Sequence, residues 1–250
     1  MKVSLITGTY NSAEFIKDCV TSINNQDYDN IEHIIIDGAS KDNTVNIIKE
    51  TPNRVAKIIS EPDEGIYDAM NKGIRNTTGD IVGILNSDDF YNSNEVISRV
   101  VEAFETQGVD CVYGNLYYVL QDDPSVIKRK WVTGPYNPKK GFKSGWHPAH
   151  PSFFGKKELY DKYGVFNKSF KIAADFELML RFIEKHKAKS AYINTPIVRM
   201  RLGGESNRSL KNIYNGNKDC IQAFKVNNLP VSFLYPIKRL VPKLTQFINH

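Results

Sequence analysis

Through the first hundred residues, short apolar runs alternate with stretches whose apolar residues recur every three or four positions. The runs are residues 3–6, 34–36, 55–59 and 81–85, rich in Val and Ile and without polar alternation. That pattern belongs to strands buried on both faces. Between them, Phe15, Ile16, Cys19, Val20 and Ile23 fall on one helical face, and Val45, Ile47 and Ile48 on another, with Asp42 or Asn43 as its cap. Ile66, Ala69, Met70 and Ile74 predict a third helix that stops near Gly79, and a fourth covers residues 94–105. Strand and helix in alternation require crossover connections, hence a mainly parallel sheet covered by helices.

Beyond residue 109 the pattern changes. Residues 111–113 and 116–120 read as strands, followed by a Pro-, Gly- and Lys-rich stretch from 122 to 145. That is long for a structureless connection, so a functional loop containing a short strand or two is expected. Order resumes at Phe153-Phe154, a helix spans 175–185, and residues 191–193 and 197–200 are strand-like. The tail from 229 to 250 is expected to be helical. It carries Phe233, Leu234, Ile237, Leu240, Val241, Leu244, Phe247 and Ile248, flanked by Lys238, Arg239 and Lys243 and interrupted by Pro236 and Pro242. An apolar face with a basic flank has the composition of an interfacial helix. Docking onto the chain's own core or onto a second subunit uses the same residues.

Composition narrows the class. A chain of 250 residues with 41% hydrophobic and 24% charged residues is globular, and a net charge of +5 is too mild to argue for nucleic acid. The three cysteines, Cys19, Cys111 and Cys220, are far apart. They form neither a metal-binding pair nor a disulfide framework, so a reducing cytoplasm is expected. No run approaches the roughly 18 apolar residues of a membrane-spanning helix, so a soluble or peripheral protein is expected.

Candidate chemistry collects where parallel sheets place their ligands, beyond the carboxyl ends of the strands. The residues there are Thr7-Gly8-Thr9-Tyr10-Asn11, Asp37-Gly38-Ala39-Ser40, Glu61-Pro62-Asp63-Glu64-Gly65 and Asn86-Ser87-Asp88-Asp89. Adjacent carboxylates after an apolar strand are costly unless a cation compensates them, and a hard divalent ion bridging carboxylate and diphosphate oxygens does so. A turn in which Asp88 or Asp89 caps the next helix is the plain alternative. The first turn lacks GxGxxG, and no GxxxxGK[ST] occurs. A nucleotide here is therefore held by side chains and a metal rather than by a glycine loop.

Thr9-Tyr10-Asn11, residues 37–44, Met70-Asn71-Lys72-Gly73, Gly79-Asp80 and Asn86-Ser87-Asp88-Asp89 resemble the ordered motifs of family 2 glycosyltransferases. The block from Ser60 to Gly73 is similar to the bacterial branch that builds colanic acid, capsules and O-antigens. The resemblance implies a GT-A fold: a Rossmann-like, mainly parallel sheet flanked by helices, with a smaller mixed acceptor-side sheet. It implies a nucleotide-sugar half over 1–107, an acceptor half over 108–205 and a helical extension over 206–250. It places Thr9, Asp37, Asp63 and Asn71 against the nucleotide and Asp88 at the ribose or donor sugar, with Asp89 on Mg²⁺ or Mn²⁺. Where the family carries a second Asp after the first, this chain has Gly38, and Asp63 is the candidate for the missing acceptor.

The segment 172–178 matches the family's acid motif, with Ala174 in place of its Glu and Asp175 in the place of the catalytic base. Phe176, Met179, Leu180 and Ile183 form an apolar stripe, Glu177 can pair with Arg181 at the surface, and the helix dipole favours an ionised Asp175. The segment 147–154 resembles the acceptor-facing part of the branch. Trp146 is a candidate sugar-stacking ring, His150 an acceptor contact, and Arg201 a neutraliser of the leaving diphosphate. The implied reaction is metal-dependent, inverting transfer from a UDP-, GDP- or dTDP-sugar to a saccharide hydroxyl, the alternatives being a sugar-nucleotide pyrophosphorylase and a non-catalytic nucleotide-sugar binder. The implied acceptor is polyprenyl-linked, at the inner face of the cell membrane.

Overall fold

The computed structural model describes residues 1–203 and 210–239. The β-branched runs form β1 (Val3–Thr9), β2 (Ile31–Asp37), β3 (Val55–Ser60) and β4 (Ile81–Ile84), all parallel, in the order β3-β2-β1-β4. Helices α1 (Ile16–Asn24), α2 (Thr44–Glu50), α3 (Ile66–Arg75) and α4 (Val96–Gln107) connect or flank them. Every residue of β1 is buried, as expected of a strand covered on both faces. One core packs Ile16, Val20 and Ile23 of α1 with Ile97 and Val100 of α4; the other packs Met70 and Ile74 of α3.

The acceptor-side strands are not a detached sheet. Between β4 and the rest lies β8 (Phe153–Lys156), antiparallel to both β4 and β6 (Cys111–Val119). On the far side β6 runs parallel to β9 (Ser190–Arg201), while β7 (Ile127–Trp131) pairs with the outer part of β6. Two expectations change here. The strand fragments at 191–193 and 197–200 are one strand, interrupted where Pro196 follows Ile193 in the pairing with Gly114 and Asn115. The residues after Asp89 do not start a helix but form a short strand, β5 (Phe90–Tyr91), on the end of β9. The reading of Asp88 or Asp89 as a helix cap falls with it.

Three more helices, α5 (Lys157–Tyr163), α6 (Ala174–Leu180, continuing as a wider turn to Lys185) and α7 (Leu210–Val226), follow in the second half of the chain. In the tail, Phe233, Leu234 and Ile237 are exposed while Tyr235 is fully buried. The apolar positions expected at 240–248 lie outside the described residues. No helix among the described residues is long and apolar enough to cross a membrane.

The sheet centre holds a histidine. His33 of β2 is fully buried, with Nε2 3.0 Å from Thr7 Oγ1 and Nδ1 without a partner among the described residues. Burial drives its pKa from 6.5 down to about 3, because no counter-charge compensates the imidazolium. Above pH 6.5 neither state binds the proton. Below it the unfolded chain takes up a proton that the folded chain refuses, so stability falls with pH at about 1.4 kcal/mol per unit. Urea unfolding of the parent and of His33→Gln is expected to give a stability difference that shrinks by about 2 kcal/mol between pH 6.5 and pH 5. A pH-independent difference would mean that His33 does not titrate on unfolding.

Candidate active site

The loops beyond β1, β2 and β4 are laced together. Gly38 N donates to Thr9 O at 2.8 Å, Asn11 N to Ser40 Oγ at 2.8 Å, and Ser12 Oγ lies 2.9 Å from Ser87 Oγ. Asn11 (φ 48°) and Ala39 (φ 61°) both adopt the left-handed conformation, which non-glycine residues adopt rarely and chiefly where surrounding structure imposes it. Thr9 is buried, and its hydroxyl has no partner among the described residues. It is one polar atom at this strand end left over for a ligand.

Asp37 stands one layer below. It is fully buried and accepts from Ser40 N at 3.1 Å and Ser60 Oγ at 2.6 Å, so it shapes the loop from below the surface. Asp63 is only half-buried. A Cβ built on Gly38 would lie 2.6 Å from Asp63 Oδ2 and 3.4 Å from the Tyr10 ring. The carboxylate thus fills the space where the family carries its second Asp, and a side chain at position 38 would evict it. Tyr10, which motif reading passed over, is 58% exposed at this point. An exposed aromatic at a strand's carboxyl end was the available signal.

The acidic pair divides its roles. Asp89 is fully buried, accepting from Asn86 Nδ2 at 2.9 Å and from the backbone N–H of Arg201 at 3.2 Å. Burial, with the Asp88 charge beside it, pushes its pKa well above the carboxylate range. Asp88 is half-buried, and burial raises its pKa too. Arg201 departs from the expected diphosphate contact: only 4% exposed, it donates to the Asp88 backbone carbonyl at 2.6 Å and pairs with Asp18. Its guanidinium lies 4.9 Å from the Phe15 ring and 5.0 Å from Phe90. Arg201 is therefore a buried clasp that ties the end of β9 to the Asp88 loop.

Asp175 opens α6, half-buried. Its approach is clamped: Ile172 N donates to Asp219 of α7 at 3.1 Å, and Ile172 O accepts from Tyr67 of α3 at 2.8 Å. The same Tyr67 hydroxyl is 3.4 Å from Asp175 Oδ1. Burial first, and then the Asp175 charge, push the Tyr67 pKa well above its ordinary value, so it stays a donor. Tyr67 lay within a recognised motif, but nothing local pointed to this contact. His150 is half-buried with its ring 5.5 Å from Phe166; burial lowers its pKa and the Asp175 charge opposes that, which brings it into the neighbourhood of the base.

Three further expectations are corrected. Asn71 is buried and exchanges two hydrogen bonds of 2.9 Å with the backbone of Phe166, a structural role that leaves its amide no free face. Trp146 donates from Nε1 to Thr133 O at 2.7 Å and packs among Tyr113, Tyr136 and Phe142, so neighbouring rings occupy the surface a sugar would need. The Glu177–Arg181 pair is buried, not superficial: both nitrogen contacts are 3.0 Å, and Asn227 of the chain after α7 also donates to Glu177.

Among the described residues, no three His, Cys, Asp or Glu side chains converge as a metal cage. A cation that keeps several waters needs only one or two carboxylates plus substrate phosphates. The Asp88 carboxylate and the Asn86 carbonyl oxygen, at the edge of a buried acidic pair whose one nearby guanidinium, Arg201, is already paired with Asp18, fit that kind of site.

This architecture, the parallel sheet β3-β2-β1-β4 extended by the mixed strands β8, β6 and β9, is that of the GT-A class. S. aureus TarS 1–349, solved with UDP-GlcNAc, superposes with a TM-score of 0.73 at 17% identity, covering 100% of this chain and 72% of that one. The mannosyltransferase PcManGT of Pyrobaculum calidifontis, solved with GDP-Man and Mn²⁺, superposes at 0.66 with 20% identity, over 97% of this chain and 68% of its own. The model of glycosyl transferase family 2 matches residues 4–164, and the chain belongs to that family. A glycosyltransferase of Mycobacterium tuberculosis is 36% identical over 182 residues, 72% of this chain and 68% of its own length. The PGL/p-HBAD biosynthesis glycosyltransferase of the same species is 27% identical over 213 residues, 82% of this chain and 78% of its own. The protein is a glycosyltransferase; the pyrophosphorylase and non-catalytic alternatives fall away.

Proposed function

We propose that this enzyme transfers a sugar from a nucleoside-diphosphate donor to a saccharide hydroxyl, with inversion at the anomeric carbon, in cell-surface polysaccharide or glycolipid synthesis. The observation that supports the reading is a contact between the two parts of the fold: Tyr67, in the first turn of α3 just beyond the Asp63 loop, lies 3.4 Å from Asp175 Oδ1. The carboxylate that opens α6 therefore stands beside the loop that follows β3.

In this reading Tyr10 stacks on the base, and Asp63 accepts its ring N–H, with the Thr9 hydroxyl beside them. An imide N–H of uracil suits that acceptor, so a UDP-sugar is the first donor to test, ahead of GDP- and dTDP-sugars. The burial of Asp89 supports giving the metal role to Asp88 instead: Asp89 spends its oxygens on Asn86 and Arg201 N–H, and in this reading the Asp88 carboxylate and Asn86 Oδ1 would hold Mg²⁺ or Mn²⁺. Such a cation supplies Lewis-acid stabilisation of the leaving diphosphate. Asp175 takes the proton of the acceptor hydroxyl as its oxygen attacks the anomeric carbon. Tyr67 and Asp219 hold the carboxylate's approach in place. His150, kept neutral by burial, is placed to hydrogen-bond the acceptor.

A lipid-linked acceptor at the inner face of the cell membrane, and the colanic-acid and capsule branch, belong to the same proposal. The test is incubation of the full chain with Mn²⁺ and a panel of UDP-, GDP- and dTDP-sugars. Slow release of nucleoside diphosphate from one nucleotide class is expected, abolished by EDTA. No release from any donor with either Mn²⁺ or Mg²⁺ would sink the reading.

A further inference from the structure

The chain's positive charge is not spread evenly. Between residues 124 and 146 lie Lys128, Arg129, Lys130, Lys139, Lys140 and Lys143 with no Asp or Glu, so this stretch holds more than the whole net charge of +5. All five lysines are exposed, and none makes an ion pair among the described residues. In β7, Lys128 and Lys130 point outward, while Arg129 turns inward with its guanidinium 4.8 Å from the Tyr118 ring.

This basic stretch abuts the C-terminal segment. A Cβ on Gly145 (φ 91°) would lie 2.6 Å from Lys238 O and 2.7 Å from Arg239 Cα, so only glycine lets the two backbones run this close. The segment is pinned by Tyr235, fully buried with its ring 5.1 Å from Phe224 and 6.3 Å from Phe176. With that anchor inward, Phe233 is 87% and Ile237 60% exposed; Val132, beyond β7, is 59% exposed. The exposed Ile237 thus precedes the very residues whose backbone meets Gly145, two positions beyond the exposed Lys143 of the basic stretch.

We propose that this face docks on an anionic lipid bilayer, with the lysines over the headgroups and Phe233 and Ile237 in the interfacial layer. The lysines call for a polyanion, and the two apolar side chains distinguish the polyanion. A soluble anionic polymer offers charge but no apolar phase for a phenylalanine held outward by a buried neighbour. The face also lies on the acceptor side: Phe142, inside the basic stretch, has its ring 5.4 Å from that of Phe176, the residue after Asp175. An acceptor anchored in the bilayer would then meet the base without leaving the surface. That last step rests on the reading of Asp175 given above; the docking itself does not.

The test is flotation of the full chain with vesicles of phosphatidylcholine alone or mixed with phosphatidylglycerol, with no donor or acceptor present. Failure here is therefore separate from failure of the transferase reading. Binding to the mixed vesicles is expected, weakening as salt rises, with little binding to phosphatidylcholine alone. Lys139→Glu/Lys140→Glu/Lys143→Glu is expected to lower vesicle binding at least about tenfold. Phe233→Ser/Ile237→Ser is expected to lower it about tenfold as well, with melting temperature and nucleoside-diphosphate release from the donor in the presence of a soluble acceptor unchanged in both variants. Equal binding by parent and charge-reversed variant would overturn the proposal, as would no preference for the anionic vesicles. Retention on a dextran sulfate column without vesicle binding would overturn it in favour of a soluble polyanion.

Discussion

Asp175→Asn is expected to lower sugar transfer by about a thousandfold while leaving the enzyme folded and able to bind nucleoside diphosphate. An amide keeps the shape at the start of α6 and can still meet the Tyr67 hydroxyl, but it cannot take a proton from the attacking hydroxyl. Turnover measured as acceptor-dependent diphosphate release, alongside nucleotide binding by calorimetry, separates the two effects. Loss of both together would make Asp175 a structural residue, and near-normal turnover would move the base elsewhere.

The second large effect separates the adjacent acids. Asp88→Asn is expected to lower Mn²⁺-dependent turnover by about a hundredfold or more, and to weaken Mn²⁺-assisted nucleotide binding, at an unchanged melting temperature. Asp89→Asn is expected to act through stability. Its amide can accept from Asn86 or from Arg201 N–H only by turning its own N–H₂ toward the other donor, leaving buried groups unpaired at about 1–3 kcal/mol. For a chain of this size that is a fall of several degrees in melting temperature, about 2–4 °C per kcal/mol. If Asp89→Asn instead abolishes metal-dependent binding without destabilising the protein, the metal role returns to position 89.

The donor half was legible because its signals are short-range. Residues 3–6 and 34–36 announce buried strands by composition alone, and each is followed at once by its polar strand end. Asp63 was singled out because Gly38 broke a familiar pair, and the structure puts its oxygen over that glycine. The acceptor half was harder. Its strands pair out of chain order, β6 with β7, β8 and β9, so a two-residue interruption in β9 looked like a break between two strands. Trp146, Asn71 and Arg201 carried the right chemistry for ligand contact, yet each is occupied by a partner that no local pattern announces.

By itself the sequence determined the alternating architecture, the family and the polar ends of the four strands, since periodicity and motif order act over a few residues. Tertiary structure alone decided which of two neighbouring aspartates is turned into the interior. Asp89 is turned inward by an N–H 112 residues away, and Asp175 is steadied by a hydroxyl 108 residues away. Such hydrogen bonds depend on the direction of a side chain within about an ångström. That direction follows from how sheets and helices pack, and composition along the chain does not record it.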